Sequence, residues 1–269
     1  MTKNIAVIGC SHSAGGYGPP EHNEFLCNWP RILSQKILDE GFDYKVYNIS
    51  QYCSSVHLQL AQLSHLLQTA RSSIDFIVFQ VTDPIRSTFI NPDVHYWEIL
   101  EIHGIDSKNM INKSKNIIFN DNYYELNPGG MDLGGDKLKN NINDVINLNA
   151  GMAHSIKNRM KNDKILNLFL NSITYNFYYN QSIEIYYMSY IHYAKELLKK
   201  HNIPCIIYMH QGTHNTDENL IKSYDFVLSE MWDNFLEYKV DDGFHFGYDG
   251  NKRLVDELIW PRILEDLNV

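Results

Sequence analysis

The sequence contains no apolar run that approaches the length of a membrane-spanning helix, so no membrane partner is expected. It also lacks the apolar stretch and small-residue cleavage site of a signal peptide, because residues 1–4 lead directly into a strand-like segment. We therefore expect a cytoplasmic protein or, if the source is viral, one associated with the virion.

Basic residues are few relative to acidic ones. The chain has 23 Lys and Arg against 32 Asp and Glu, a net charge of −9. Binding to nucleic acid depends largely on basic side chains that neutralise phosphates, and an acidic chain is poorly suited to it. No nucleic-acid partner is expected.

Cysteine is also scarce, and its spacing favours reduced thiols over a disulfide framework. The four cysteines (Cys10, Cys27, Cys53, Cys205) are scattered and show no paired spacing. This pattern is typical of reduced thiols in a cytosol-like compartment.

Metal-ligand spacing is absent as well. His12 is a candidate ligand, but no second and third ligand stand at a diagnostic distance from it along the chain. His210 and His214 form a loose pair with no glutamate between them. The sequence predicts neither a metal nor an organic cofactor.

The chain does have an alternation of apolar strands with amphipathic helices. With 269 residues, 44% of them hydrophobic, it can bury one α/β core, and we expect a single domain over 1–269. The alternation predicts a three-layer α/β/α sandwich with a mainly parallel sheet of about five strands, ordered as in flavodoxin. The predicted strands are 4–9, 43–49, 74–81 and 203–209, and the predicted helices are 28–41, 56–71 and 249–267.

The regular alternation breaks at residue 91. Residues 91–160 are rich in aromatic, Asn, Asp and Gly residues, which predicts an irregular insertion or cap over the sheet edge or the active-site mouth. A broken helical region should follow over 151–200. Its seven tyrosines within 173–193 could line a sugar-binding face, but we favour a helix packed on the sheet with its hydroxyls reaching solvent.

Polar residues collect where the predicted strands end. Ser11 follows the first strand, residues 50–55 the second and 82–86 the third, while His245 precedes the last helix. Ligands of open parallel sheets bind beyond the carboxyl ends of the strands, so these segments should share one rim. With Asp242, they supply the hydroxyl, imidazole and carboxylate that activate a serine nucleophile.

Cys10 is an alternative nucleophile. It directly follows the strand, however, and its side chain should point away from that of Ser11 because side chains alternate along an extended chain. We therefore predict Ser11 as the nucleophile.

Two blocks resemble a known family. Residues 9–13, Gly-Cys-Ser-His-Ser, resemble the Gly-Asp-Ser-x-Ser block that opens the SGNH (GDSL-like) hydrolases, and residues 242–245, Asp-Gly-Phe-His, resemble their closing Asp-x-x-His block. Residues 48–55 and 80–83 fall where that family keeps its second block and its Gly-x-Asn-Asp block. Trp29 with Leu33 is similar to a Trp-Leu pair of phage-type members.

This resemblance implies a serine ester hydrolase with Ser11 as nucleophile, His245 as general base and Asp242 as the residue that orients it. The implied oxyanion hole uses the Ser11 backbone N–H, an N–H of the 52–55 loop, and Thr82. Tyr52, Ser54 or Ser55 can supply the loop N–H, and we assign it to Ser54. The sequence departs from the family pattern at two points. The second-block glycine has no clear counterpart, and Thr82 stands where the family has asparagine.

The implied substrate is a small acyl ester, with acetyl on a carbohydrate as the expected case. Two alternatives stay open. One is an acyltransferase or low-turnover glycan-binding domain with the same fold, which the two departures favour. The other is a structural or assembly protein that oligomerises through its long helices.

Overall fold

The structure is a computed structural model, and it describes residues 2–14, 28–50, 54–82, 87–90, 123–125, 145–148, 182–210, 218–239 and 245–267. Its strands are β1 (Lys3–Ile8), β2 (Tyr44–Asn48), β3 (Phe76–Val81), β4 (Ser87–Ile90), β5 (Tyr123–Glu125), β6 (Val145–Leu148), β7 (Cys205–Met209) and β8 (Phe226–Val227).

The central feature is a parallel sheet with β1 in its interior. The strand order is β5-β2-β1-β3-β7-β8, and every neighbouring pair is parallel. Without β5, the order of the remaining five strands is the flavodoxin order predicted from the sequence. Apolar side chains on both faces of β1 and β3 suit strands that are covered from both sides.

Helices follow the strands along the chain. They are α1 (Ser11–Ala14), α2 (Trp29–Asp39), α3 (Val56–Thr69), α4 (Ser182–Lys200), α5 (Glu218–Ile221), α6 (Leu228–Met231), α7 (Tyr248–Leu254) and α8 (Trp260–Asp266). A π-helical turn, Val255–Ile259, joins α7 to α8, and short 3₁₀ turns lie at Arg71–Ser73 and Phe235–Tyr238. Side-chain oxygens cap α2 and α3, where Asn28 accepts from the Arg31 N–H and Ser55 from the Leu58 N–H.

Each face of the sheet has its own hydrophobic core. Ala6 and Ile8 of β1 point to one face, where α3 and α4 pack. Ile5 and Val7 point to the other face, where α2 packs beside α7 and α8. This alternation along one strand places helices on both sides of the sheet, and the predicted three-layer α/β/α fold is confirmed.

Little of the predicted 91–160 insertion falls within the described residues. Its β5 adds a short parallel strand beside β2, so that part extends the sheet edge in regular structure. Its β6 pairs antiparallel with β4 in a separate two-stranded sheet. The rest of the insertion lies outside the described residues, and its role as a cap stays a prediction.

The described tyrosines of α4 differ in part from the expectation that their hydroxyls reach solvent. Tyr193 is 52% exposed, but Tyr187 is buried and donates a hydrogen bond to the Thr82 carbonyl. The Tyr190 hydroxyl lies 2.7 Å from His57 Nε2 on α3. A buried phenol requires a polar partner, and the Tyr187 hydroxyl has one in the carbonyl of Thr82, just after β3. None of the helices within the described ranges combines the length and the apolar character that crossing a membrane requires.

Candidate active site

Ser11 begins a tight turn at the carboxyl end of β1. The Cys10 carbonyl accepts from the N–H groups of Ser13 and Ala14, at 3.0 and 2.9 Å, so the chain turns immediately after the strand. Gly9 allows this turn to pack closely. A Cβ at that position would lie 2.5 Å from Ser13 Oγ and 2.8 Å from Gln80 Oε1, so any side chain would force the turn outward.

The side chain of Gln80 braces the turn from the end of β3. Its Oε1 accepts from Ser13 Oγ at 2.7 Å and from the Cys10 N–H at 3.2 Å, and its Nε2 lies 3.2 Å from Cys10 Sγ. All of these atoms are buried. Cys10 therefore packs against Gln80 in the protein interior.

A second set of contacts fixes the residues just after Ser11. Trp29 Nε1 donates to Ser13 Oγ at 2.9 Å. The side-chain amide of Asn48, at the end of β2, donates to the Ser13 carbonyl at 2.8 Å, and that of Asn28 donates to the same carbonyl at 3.2 Å. The turn is therefore held from β2, β3 and the start of α2 at once.

His245 lies at the rim beside Ser11. Its Nε2 is 2.8 Å from Ser11 Oγ, which is within the hydrogen-bond distance that proton transfer between the two groups requires. Ser11 is buried and His245 is half-buried.

The backbone around His245 is fixed by the residues that follow it. Phe246 bridges to Lys239, the Gly247 N–H donates to the Tyr238 carbonyl, and Asn251 Nδ2 donates to the Phe246 carbonyl at 3.0 Å. Phe246 itself is buried against Trp232 and Phe235. Asp242, the predicted third member, lies outside the described residues.

Ser54 and Thr82 lie near the turn and are joined through Gln59 of α3. Ser54 Oγ donates to the Gly9 carbonyl at 3.1 Å, and Gln59 Nε2 donates to Ser54 Oγ at 3.3 Å. Gln59 Oε1 accepts from the Thr82 N–H at 3.2 Å. The Ser54 hydroxyl therefore makes hydrogen bonds within the fold, to the Gly9 carbonyl and from the Gln59 amide.

Thr82 presents a different situation. Its residue is fully buried, its carbonyl accepts from Tyr187, and its Oγ1 has no hydrogen-bond partner within the described part of the chain. A buried hydroxyl without a partner is unusual in a folded protein.

Two further histidines contact the site. The ring of His12 stacks on His210, with centroids 4.2 Å apart and planes at 18°, and lies 4.7 Å from the ring of His245. His210 follows β7, the strand next to β3. Burial, followed by the charges of His245 and Lys239, lowers the pKa of His210 to about 3.

Sequence reasoning considered His12 and His210 only as metal ligands. Among the described residues no group of three or more His, Cys, Asp or Glu side chains is arranged to hold a metal ion. His214 lies outside the described residues. The amides of Gln59 and Gln80 were also missed as site-building residues, although Gln80 directly precedes the end of a predicted strand.

No protein-family model matches this chain, and no curated protein matches it. Among solved structures it is similar to TesA, with 13% identity, a TM-score of 0.44 and coverage of 98% of this chain and 99% of that chain. It is also similar to the psychrotrophic esterase EstA from Pseudoalteromonas sp., solved as a form inhibited by monoethylphosphonate (10% identity, TM-score 0.45, 99% and 100% covered). A third similar structure is a lipase/acylhydrolase from Enterococcus faecalis (14% identity, TM-score 0.38, 99% and 95% covered).

Proposed function

We propose that this protein is a serine ester hydrolase of the SGNH type, with Ser11 as nucleophile and His245 as general base. The observation that carries the proposal is the 2.8 Å distance between His245 Nε2 and Ser11 Oγ at the carboxyl rim of the sheet. A nucleophile and a base within hydrogen-bond distance are the signature of covalent catalysis by serine.

The reaction follows from this pair. His245 takes the Ser11 proton as Oγ attacks the carbonyl carbon, and the resulting imidazolium gives that proton to the departing alcohol. Water then attacks the acyl-serine by the same route in reverse, which releases the acid and restores the serine. Asp242, in this proposal, holds His245 in the tautomer that leaves Nε2 free to accept.

The negative charge on the substrate oxygen requires hydrogen-bond donors at the moment it forms. We assign this role to the backbone N–H groups of Ser11 and Ser54 and to Thr82 Oγ1. The burial of Thr82, together with the unpartnered state of its hydroxyl within the described residues, supports its assignment.

We further propose a small acyl group, such as acetyl on a carbohydrate, as the substrate. The support for this choice is the resemblance of residues 9–13 and 242–245 to the SGNH blocks. The phage-type assignment is also part of this proposal and is supported by Trp29, whose indole N–H contacts the nucleophile turn through Ser13.

The test is covalent labelling with a phosphonofluoridate probe followed by peptide mass analysis. The adduct is expected on the peptide that contains Ser11 and should be absent from His245→Ala. Cys10→Ala serves as the matched control and should label like the wild type, because Cys10 packs against Gln80. An adduct at another residue, or a wild-type protein that neither labels nor hydrolyses acyl esters, would overturn the proposal.

A further inference from the structure

The ring of His245 rests on another histidine. His12 contacts both His245 and His210, with centroid distances of 4.7 and 4.2 Å. We call His12 and His210 the imidazole stack. The three residues are contributed by the turn after β1, the end of β7 and the segment before α7, so the fold brings them together from distant parts of the chain.

His210 is the buried end of the stack. It is 3% exposed, and neither of its ring nitrogens has a hydrogen-bond partner among the described residues. Its ring also packs on Phe246 at 4.8 Å and on Tyr208 at 5.6 Å. A histidine kept neutral and surrounded by rings acts as an aromatic surface, since it makes no use of its polar atoms here.

We propose that His12 and His210 are positioning residues for the general base: His12 holds the His245 ring at Ser11 through ring-to-ring contact, and His210 supports His12 by stacking on it. This inference rests on the proposed function. The His12 and His245 rings meet at 41°, and this contact limits rotation of the His245 ring, which keeps Nε2 directed at Ser11 Oγ.

Ring contact and proton relay through the imidazole stack lead to different expectations. If ring contact positions His245, a phenyl ring at position 12 or 210 should serve in place of the imidazole, whereas a proton relay would require the ring nitrogens. His210→Phe and His12→Phe should therefore keep kcat within about threefold of the wild type, while His210→Ala and His12→Ala should lower it about tenfold with KM within about twofold. His12 is only half-buried, so the comparison of His12→Phe with His12→Ala stays informative if His210→Phe does not fold.

The pH profile gives a second measurement. The titratable and charged groups facing His210 are His12, His245, Tyr208 and Lys239. Because burial lowers the pKa of His210 to about 3, its ring does not titrate where hydrolysis is measured. The acid limb of kcat/KM should therefore remain in place in His210→Phe.

The experiment measures kcat and KM for p-nitrophenyl acetate across the pH range in all four variants, with His65→Ala as control. His65 is a buried histidine of α3, so its replacement matches the loss of a buried ring and should leave kcat unchanged. An active wild type in which His210→Phe and His12→Phe fold but lose as much kcat as the alanine variants would overturn the stack. Alanine variants with wild-type kcat would do the same. A wild type that neither labels at Ser11 nor turns over would overturn the proposed function, and the stack with it.

Discussion

Nε2 of His245 lies 2.8 Å from Oγ of Ser11, although the two residues are 234 positions apart in the chain. The contact depends on the sheet order, since β1 ends at the same rim that the segment before α7 reaches. If this pair is catalytic, Ser11→Ala should lower kcat by about four to six orders of magnitude, because members of such a unit act together. Esterase assays on the purified variant measure this.

Cys10→Ser is the matched control for that prediction. Its side chain faces Gln80, so we expect kcat to stay close to the wild-type value and only stability to change. If Ser11→Ala were active and Cys10→Ser inactive, Cys10 would be the nucleophile in place of Ser11.

Substitution of Thr82 should affect activity and stability in different directions. Thr82→Val removes a buried hydroxyl that has no partner within the described ranges, so the free energy of unfolding should stay the same or rise. If the hydroxyl receives the substrate oxygen, kcat should nevertheless fall about a hundredfold, and Thr82→Ser should retain most of it. Steady-state kinetics and urea unfolding test both halves, and an unchanged kcat in Thr82→Val would remove Thr82 from the oxyanion hole.

Replacement of Gln80 should lower the free energy of unfolding. Gln80→Leu leaves the Cys10 N–H and the Ser13 hydroxyl without their common acceptor in a buried site. Each unsatisfied donor costs about 1–3 kcal/mol, so the free energy of unfolding should fall by at least about 2 kcal/mol. Urea denaturation checks this, with Gln68→Leu as control because the Gln68 amide makes its hydrogen bond at the exposed surface of α3. Equal losses of stability in Gln80→Leu and Gln68→Leu would contradict the role of Gln80 in holding the turn after β1.

His210 links stability to pH. Its pKa is about 3 in the folded protein against 6.5 as the ordinary value, so between these values the unfolded chain binds a proton that the folded one does not. Stability should therefore fall as the pH drops from about 6.5 toward 3, with a contribution of up to about 1.4 kcal/mol per pH unit, and His210 should contribute nothing above that window. Urea unfolding at about pH 7 and pH 4.5 should show a shallower loss in His210→Phe than in the wild type. Equal losses of stability in the wild type and in His210→Phe would mean that the His210 ring takes up a proton in the folded protein as well.

The sheet could be predicted because β1, β3 and β7 are short apolar runs bounded by polar residues, a pattern that local sequence carries directly. β8 could not be located, because Phe226 and Val227 alone are too short to show any alternation. The fold prediction is confirmed, whereas the 91–160 cap and Asp242 stay predictions.

At the site, strand-end reasoning led to Ser11 and His245 because parallel strands share one rim. The roles of Gln80 and of the imidazole stack could not be derived in that way. An amide or imidazole acquires its function from partners that only the tertiary fold supplies, and Gln80 and His210 reach theirs through the adjacency of β1, β3 and β7.

The interior position of β1 also sets an order of events during synthesis. β1 pairs with β2 on one side and with β3 on the other, so these three strands can assemble once residue 81 has left the ribosome. His245 follows Ser11 by 234 positions, which takes roughly 10 to 50 s at about 5–20 residues per second. Throughout that interval the growing chain carries Ser11 without His245, so if this pair is catalytic, a nascent copy is inert toward esters until its last helices are made.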